Sequence, residues 1–315
     1  MNTTIAVGVD IGGNTIKTGL VSETGSIIYQ NKFDTNADRS EQEVIGQIET
    51  SIRDAIDHAE QNKLVGIGIG TPGMVDDDGV VKAPPNFVDF DNVRLRAVLE
   101  KRFQQTVKVE NDANAAAIAE SKFGAGKKFP NFLFVIWGTG VGGGIILNNK
   151  IFRGPTGGAG EIGHITVDYN GPQCNCGSNG CVESYVGQRY LSQRTVERLN
   201  KHPESKILQL VDGNLEKVEP VYIAQAAKAG DKFAKEVLVE AGTILGIALG
   251  AVMNTMDLRV SIIGGGISAA GDFVMDAIKQ SVQYRVLKPL RPDIQVLPAK
   301  LGNDAGILGA AGLVL

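Results

Sequence analysis

Cysteine and tryptophan are scarce in this sequence, and positive charge is not in excess. Of 315 residues, 3 are Cys and 1 is Trp, and the formal net charge is -4. An acidic chain without a basic patch lacks the electrostatic footprint of proteins that bind nucleic acid or anionic membrane surfaces. We therefore expect neither partner, and we expect any polyanion that binds to be small and held locally.

The sequence also lacks the features of a secretory leader and of a membrane span. Its N-terminus, MNTTIAVGVDIGG, has neither a basic region nor a long apolar stretch. The most apolar segment, roughly Ala241 to Met253, is interrupted by glycines and is shorter than the ~20 residues that cross a bilayer. We predict a cytoplasmic protein.

Glycine, in contrast, is abundant. The 40 glycines exceed the average usage of ~7%, and they cluster at a few points instead of forming linkers. Such clusters are typical of places where the backbone approaches a ligand, since glycine has no Cβ. The chain is also long enough for two domains, because single cores rarely grow beyond ~250–300 residues.

The chain contains a weak internal repeat. A strand, a glycine turn and a second strand occur at Val7–Leu20 and again at Val135–Leu147, and each copy is followed by mixed helices and strands. We predict a meander of three strands at 5–10, 16–21 and 27–32, and a polar connection at 201–220. Further predicted elements are strands at 64–70, 107–110, 132–137, 145–147 and 260–263, and helices at 41–60, 94–103, 113–122, 187–199, 221–228, 231–256, 272–285 and 304–314. This order predicts a duplicated α/β architecture with a cleft between its halves.

The two glycine turns are candidate phosphate sites. They are Asp10-Ile-Gly12-Gly13-Asn-Thr and Gly138-Thr-Gly140. Glycines in such turns let backbone N–H groups approach phosphate oxygens, and an acid beside them can hold hydrated Mg²⁺. Alternatively, both are ordinary tight hairpins and Asp10 is a turn acid.

The second turn also fits a dinucleotide-binding fingerprint. Gly138, Gly140 and Gly143 follow a strand, and Glu161 lies near the spacing of a ribose contact. That motif needs a helix directly after the glycines, whereas Gly144-Ile-Ile-Leu-Asn-Asn predicts a strand and a turn. We therefore favour the phosphate turn.

Asp112 stands between a predicted strand and a predicted helix, in the sequence Val109-Glu-Asn-Asp112-Ala-Asn. Capping the helix is a common role for Asp at such a position. A carboxylate there is also well placed to accept the proton of a hydroxyl group during phosphoryl transfer, while Mg²⁺ and amide donors hold the phosphates. Asp112 is therefore a candidate general base.

The strongest local signal is His164 followed by Cys174-x-Cys176-x4-Cys181. One His and three Cys in this spacing predict a closed tetrahedral zinc site. The alternatives are a disulfide with a spare thiol, which a reducing cytosol disfavours, or unpaired buried cysteines. Since all three cysteines fall within eight residues, we favour structural zinc that shapes a loop.

Two carboxylates bracket this loop, Glu161 before His164 and Glu183 after Cys181. Either could be a solvated loop acid. A sugar, however, presents a ring of hydroxyl groups, and discrimination comes from buried acceptors that the wrong ligand would leave unpaired. A metal-stiffened loop carrying Glu161, His164 and Glu183 would suit that task.

With these residues identified, the chain resembles the ROK family of sugar kinases, glucokinase-like members of the actin/hexokinase/Hsp70 ATPase superfamily. The resemblance covers essentially the whole chain. The motifs that carry it are Asp10-x-Gly-Gly, Gly70-Thr-Pro-Gly73-x-Val-Asp76, Ala83-Pro-Pro-Asn86, Glu110-Asn111-Asp112-Ala-Asn114, Gly138-Thr139-Gly140-x-Gly-Gly-Gly144, Gly160-Glu161-x-Gly-His164, Cys174-x-Cys-Gly-x-x-Gly-Cys-x-Glu183 and Gly264-Gly265-Gly266.

The resemblance implies a two-domain actin-like ATPase architecture, ribonuclease H-like, with duplicated mixed sheets. We place the N-terminal domain at 1–118 plus 299–315, and at 119–298 a C-terminal domain that carries the zinc loop and helices of the kind that form a dimer. A homodimer is implied. The implied reaction is transfer of phosphate from ATP, with Mg²⁺, to a hexose hydroxyl, and glucose is the favoured sugar.

The resemblance also implies residue roles, with Asp112 as the general base. The other sugar-binding positions are Gly73, Asn86, Asn111, Glu161, His164 and Glu183. Phosphate, Mg²⁺ and adenosine would lie against Asp10, Gly12, Gly13, Asn14, Thr15, Lys17, Thr139, Gly140, Gly264, Gly265 and Gly266. Zinc would bind His164, Cys174, Cys176 and Cys181, with one ring nitrogen of His164 on zinc and the other on the sugar.

Two departures from the family pattern stand out. The family usually has Thr directly after Gly-Gly, and this chain has Asn14 followed by Thr15. Either the Asn14 amide replaces the hydroxyl or Thr15 shifts, so the efficiency of the phosphate site is open. After Asn86 the chain has Phe-Val where the family often has Gly-Trp, which leaves the sugar open.

Other functions of the family remain alternatives. Kinases for fructose, mannose, N-acetylglucosamine or N-acetylmannosamine could use the same carboxylates, with pocket shape deciding. A different class is a non-catalytic sugar-sensing regulator. Regulators of this family carry an N-terminal helix-turn-helix of several dozen residues, whereas the phosphate turn here begins at residue 10. We therefore favour a kinase.

Overall fold

The structure is a computed structural model that describes residues 3–315. The chain divides into two compact units. The first comprises Met1–Pro130, Gly144–Gly160 and Lys300–Leu315, and the second comprises Asn131–Gly143 and Glu161–Ala299. The domain boundaries proposed from the sequence stay a prediction.

The sheet of the first unit has five strands in the order β3-β2-β1-β4-β7. The strands are β1 (Thr4–Ile11), β2 (Thr15–Ser22), β3 (Ile27–Asp34), β4 (Lys63–Thr71) and β7 (Val107–Asn111); β5 (Met74–Val75) and β6 (Val81–Lys82) form a small separate hairpin. β1, β2 and β3 pair antiparallel, so the predicted meander is confirmed. β1, β4 and β7 pair in parallel, and their carboxyl ends therefore meet at one edge.

Four helices pack in the first unit: α1 (Glu41–Asp57), α2 (Leu95–Phe103), α3 (Asp112–Lys122) and α10 (Ala305–Gly312). α1 begins in a capping box of Ser40 and Glu43, and its buried face repeats at the helical period predicted from the sequence. α10 lies so close to the sheet that a Cβ on Gly68 of β4 would overlap the carbonyl oxygen of Ala310. The last predicted helix, at 304–314, is shorter in the structure, where α10 has eight residues.

The second sheet has the order β10-β9-β8-β11-β12. Its strands are β8 (Phe132–Trp137), β9 (Val141–Leu147), β10 (Lys150–Phe152), β11 (Val260–Gly264) and β12 (Gln295–Pro298). β10 and β12 were not predicted, and β9 begins at Val141, four residues before the predicted strand. Its glycines serve packing there: a Cβ on Gly144 would lie 2.7 Å from the Cβ of Ala117 in α3.

Six helices complete the second unit: α4 (Glu183–Val186), α5 (Gln188–Leu199), α6 (Lys206–Leu210), α7 (Pro220–Lys228), α8 (Lys232–Met256) and α9 (Asp272–Arg285). The segment 201–220, predicted as a polar connection, contains α6. This short helix forms because Asp231 accepts hydrogen bonds from Ser205 Oγ (2.6 Å) and Lys206 N (2.7 Å) at its start.

α8 corrects the expectation about the apolar segment near Ala241. The helix has 25 residues and is long and apolar enough to cross a membrane, and more than half of that apolar stretch is buried inside the protein. Its glycines are contact points with α9, since a Cβ on Gly246 would lie 2.5 Å from the Cβ of Ser281. The glycines therefore permit close helix packing instead of interrupting the helix.

Candidate active site and metal centre

The first glycine turn joins β1 to β2 and is held by its own backbone and by Thr35. Gly12 N donates to Thr15 O (2.9 Å), Thr35 Oγ1 donates to Gly12 O (2.7 Å), and Thr35 N donates to Asn14 O (3.0 Å). Gly12 and Gly13 do not have left-handed φ angles, so a primed hairpin turn does not explain them. With no Cβ at either position, the turn leaves room for a phosphate to approach its backbone, and the phosphate site stays a prediction.

Asp10 lies at the end of β1, opposite Lys17 of β2. Burial raises the pKa of the Asp10 carboxyl, and the Lys17 ammonium opposes part of that rise. The carboxyl group lies against Gly306 at the start of α10, where a Cβ would come within 2.7 Å of all three of its terminal atoms. A bound cation would relieve the cost of burying this charge.

Gly306 was missed by sequence reasoning, and no local pattern could have revealed it, because it is distant in sequence from Asp10. The roles of the other residues at this turn stay predictions, and the structure places three of them. Thr15 pairs with Asp34, Asn14 is exposed, and Asn86, with its φ of 71°, lies beside Gly13.

Asp112 is the first residue of α3 and is not its cap. Asn111 is the cap, with its Oδ1 accepting from Ala113 N (2.9 Å) and Asn114 N (3.1 Å). The capping hypothesis for Asp112 is therefore wrong, although its Oδ1 also accepts from Ala113 N (2.8 Å). The sheet register sets Asp10 beside Gly70, and Gly70 beside Glu110, so Asp10 and the start of α3 share one edge.

The amide of Asn111 also holds the loop of Gly73. Its Nδ2 donates to Gly73 O (3.0 Å), and Gly73 has a φ of 89° with no room for a Cβ, which would lie 2.6 Å from Lys82 O. An amide nitrogen has two protons. One therefore remains for a sugar hydroxyl, and that role of Asn111 stays a prediction.

Glu110 and Arg153 were not assigned from the sequence. Glu110 is 2% exposed; its Oε1 accepts from Asn111 N (2.9 Å) and Asn114 Nδ2 (3.0 Å), and its Oε2 accepts from Arg153 Nε (2.7 Å). This ion pair fixes the backbone just before Asp112. Glu110 stood within a quoted motif, but nothing local pointed to Arg153.

The second glycine turn joins β8 to β9 and is held from outside. Gly138 N donates to Gly140 O (3.0 Å), Gln188 N donates to the carbonyl oxygens of Gly138 and Thr139 (3.1 Å each), and Glu183 Oε2 accepts from Val141 N (2.9 Å). A strand follows the glycines directly, so the dinucleotide fingerprint does not apply. A Cβ on Gly138 would meet nothing within 4 Å among the described residues.

Gly264, Gly265 and Gly266 follow at the neighbouring strand end. Gly264 of β11 pairs with Ile136 of β8, so the turn and the three glycines lie at the same edge of the second sheet. Gly265 has a φ of 92°, and a Cβ there would overlap the Trp137 carbonyl. Space beside Gly138 and Gly266 is open on this edge, as expected for a nucleotide site.

The predicted zinc ligands His164, Cys174, Cys176 and Cys181 form one cluster, and their ligand atoms all lie within 4.8 Å of one another. Cys176 Sγ is 3.7 Å from Cys181 Sγ, and Cys174 Sγ is 3.7 Å from His164 Nδ1. A zinc–sulfur bond of about 2.3 Å gives a tetrahedron with edges of about 3.8 Å. The donor set and its spacing therefore fit zinc, and Nδ1 is the ring nitrogen of His164 that faces it.

Without a metal, burial keeps two of the three thiols protonated, and a bound metal would change this. Burial raises the pKa of the Cys181 thiol to about 12 and also raises the pKa of Cys174. A divalent cation reverses this effect, because it binds thiolates and releases their protons. The disulfide, which was the disfavoured alternative, is not formed, since all three cysteines are free.

The two loop carboxylates differ in their surroundings. Glu161 is exposed and directly precedes the 3₁₀ turn Ile162–His164, and its carbonyl oxygen accepts from His164 N (3.1 Å). Glu183 is half-buried and begins α4, two residues after Cys181. Glu161 and His164 are thus neighbours, while Glu183 contacts the second glycine turn.

Comparison with known proteins identifies the family of the chain. The model of the ROK family matches residues 6–315. The chain is 35% identical over 309 residues to a glucokinase of Thermotoga maritima, covering 98% of this chain and 96% of that protein. It is also 30% identical over 314 residues to a xylose repressor of Bacillus subtilis, covering 98% of this chain and 77% of the repressor.

A solved structure gives the same picture. A ROK family glucokinase from Streptomyces griseus, in complex with glucose and AMPPNP, is 38% identical with a TM-score of 0.85, covering 98% of this chain and 99% of that chain. This likeness confirms the predicted actin-like ATPase fold.

Proposed function

The chain belongs to the ROK family and is a ROK-type sugar kinase, and on that premise we propose that it phosphorylates glucose with ATP, yielding glucose 6-phosphate. The observation that carries the mechanism is the capping of α3 by Asn111. Because Asn111 supplies the cap, the carboxylate of Asp112 at the first helical position is not required for that structural task.

In the proposed reaction, Asp112 accepts the proton of the attacking glucose hydroxyl. A new oxygen–phosphorus bond forms as the bond between the γ-phosphorus and its bridging oxygen breaks, and ADP leaves. The Glu110–Arg153 ion pair holds the backbone that carries Asp112. Backbone amides of the two glycine turns bind the phosphates, with Asn14, Thr15 and Lys17 contributing at the first turn and Thr139 at the second.

The proposed sugar ligands form two groups along the chain. Gly73, Asn86 and Asn111 form the first group, and Glu161, His164 and Glu183 form the second. Carboxylates and amides that pair with each hydroxyl reject sugars that leave them unpaired. Both glucose and AMPPNP are bound by the Streptomyces griseus glucokinase, which supports ATP and a hexose as the substrates.

Two metals complete the proposal. When bound, Mg²⁺ near Asp10 would neutralise phosphate charge, and zinc at the Cys₃His cluster would shape the loop that carries the sugar ligands. His164 would bind zinc through Nδ1 and leave Nε2 to the sugar. Gly264–Gly266 would lie against adenosine.

We also propose a cytoplasmic homodimer, which the family resemblance supports. Sedimentation of the purified chain tests the dimer: a monomer at micromolar concentration would contradict it.

Asp112→Asn tests the mechanism. Turnover should fall ~10²–10⁴-fold, as expected for a lost general base, while glucose binding measured by calorimetry stays near that of the wild type. The exposed Asp78 offers a matched control, and Asp78→Asn should leave turnover unchanged. Full turnover in Asp112→Asn would remove this residue from the mechanism.

A further inference from the structure

The carboxylate of Glu183 is joined to the second glycine turn. Its Oε2 accepts a hydrogen bond of 2.9 Å from Val141 N, the first residue after the turn. The same oxygen packs on Gly140, where a Cβ would overlap it. A residue that serves only as a sugar ligand would not need this contact.

The chain after Glu183 holds the other side of the turn. Gln188 N donates to the carbonyl oxygens of Gly138 and Thr139, and Trp137 Nε1 donates to Val186 O (2.8 Å). The segment Glu183–Gln188 therefore fixes the end of β8, the turn and the start of β9. Glu183 is its only member that uses a side chain for this purpose in the hydrogen bonds of the described residues.

We propose that Glu183 is a positioning residue for the nucleotide phosphates as well as a sugar ligand. Its Oε2 fixes the Gly138–Gly140 turn in the shape that presents backbone amides to phosphate, and its Oε1 can accept from a sugar hydroxyl. One carboxylate thus links both substrates. The proposal rests on the proposed function, in that it places the nucleotide phosphates at this turn.

The charge and the hydrogen bond of Glu183 also predict whether each substitution strengthens or weakens nucleotide binding. A charge-assisted hydrogen bond to a backbone N–H is among the stronger ones, so truncation of Glu183 should loosen the turn. The negative charge itself, however, repels phosphate. A neutral Gln at this position keeps an oxygen acceptor for Val141 N and removes the repulsion.

The experiment measures binding of AMPPNP with Mg²⁺ by calorimetry in the absence of any sugar. Glu183→Ala should raise the dissociation constant roughly tenfold, the size expected for one lost charge-assisted hydrogen bond. Glu183→Gln should bind AMPPNP as tightly as the wild type or more tightly. Both variants should bind glucose more weakly, since both lose the carboxylate that the sugar uses.

Glu161→Ala is the matched control, because Glu161 is the other carboxylate that brackets the cysteine loop and, among the described residues, no hydrogen bond joins its side chain to the turn; only its backbone carbonyl is bonded, to His164 N. It should weaken glucose binding and leave AMPPNP binding unchanged. Zinc content and melting temperature of each variant establish that it is folded.

Three results would separate the claims. AMPPNP binding by Glu183→Ala that equals the wild type would overturn the positioning role and leave the kinase proposal intact. Equal losses in Glu183→Ala and Glu183→Gln would also overturn it, since the oxygen acceptor would then not matter. A wild type that binds no AMPPNP would contradict the proposed function itself.

Discussion

The two glycine turns look alike in sequence and are supported in different ways. The Gly12–Gly13 turn is held by its own backbone and by Thr35, which lies 23 residues after Gly12, and it stands beside the acid Asp10. The Gly138–Gly140 turn has no acid of its own. It is held by the Glu183 carboxylate and the Gln188 backbone amide, which lie in the chain after the candidate metal ligand Cys181.

Two turns of similar sequence can therefore have different roles, because different residues stabilise them. The first turn carries the charge that suits Mg²⁺, and none of its supports comes from the metal loop. The second turn depends on a segment that begins two residues after Cys181, one of the four residues of the candidate metal centre. Changes to the metal should therefore reach the second turn and spare the first.

The largest effect should come from Gly306→Ala, which attacks the first turn alone. The new Cβ would displace the Asp10 carboxyl, and a displacement of about 1 Å can cost roughly 10²-fold in rate. We expect kcat/KM to fall by about that factor, with a higher Mg²⁺ requirement, in a steady-state assay at varied Mg²⁺.

Gly46→Ala is the control for this prediction. Gly46 also lies in a helix, and a Cβ there meets nothing within 4 Å. This variant should keep full activity and gain up to about 1 kcal/mol of stability from helix propensity. Wild-type kinetics in Gly306→Ala would show that Asp10 does not need its place against α10.

The second largest effect should come from loss of the metal, which should weaken the support of the second turn. His164→Gln should lower zinc content and weaken both glucose and AMPPNP binding by roughly tenfold or more, the range seen when metal sites lose supporting groups. His202, which stacks on Phe233 outside the cluster, provides the matched substitution. Zinc content by mass spectrometry and binding by calorimetry measure the outcome.

His202→Gln should leave zinc content and both affinities unchanged. Zinc affinity of the wild type should also fall as pH is lowered, because the Cys181 thiol, with its pKa raised to about 12, must lose its proton to bind. Intact AMPPNP binding in a zinc-free variant would contradict the dependence of the second turn on the metal.

The smallest effect concerns stability at the first turn. Burial raises the folded-state pKa of Asp10 above its ordinary value of 3.8, so its contribution to stability is present below pH 3.8 and is lost as pH rises through the raised pKa. At pH 7 the buried charge is a cost. Asp10→Asn should therefore melt slightly higher than the wild type at pH 7 without Mg²⁺.

The melting-temperature difference should shrink as pH falls from 7 toward 4, as the wild-type carboxyl gains its proton. Differential scanning calorimetry at several pH values measures this. A lower melting temperature for Asp10→Asn at pH 7 would show that the protein already compensates the Asp10 charge. The interpretation that Asp10 needs a bound cation would then be wrong.

Much of the fold could be predicted because its signals are local. β3 alternates between a half-buried and an exposed face, and α1 repeats at the helical period, so both were predicted within a few residues. The zinc cluster was visible because four ligands lie within 18 residues. The ROK resemblance could be recognised because its motifs are short and occur in order, and the family model confirms it.

What could not be predicted depends on distant residues. Gly306, Thr35 and Arg153 act on residues far away in the chain, and no spacing rule connects them. The capping of α3 by Asn111 instead of Asp112 turned on a one-residue shift of the helix start, which sequence patterns rarely resolve. β10 and β12 have only three and four residues, too few for a periodic signal.

The most direct test of the central claim is a coupled ATP-consumption assay with Mg²⁺, run against glucose, fructose, mannose, N-acetylglucosamine and N-acetylmannosamine. We predict turnover with the highest kcat/KM for glucose. A higher value for an N-acetylhexosamine would contradict the assignment of glucose. No turnover with any sugar, while sugar binding remains detectable, would contradict catalysis itself and make Asn14 the first residue to restore to Thr.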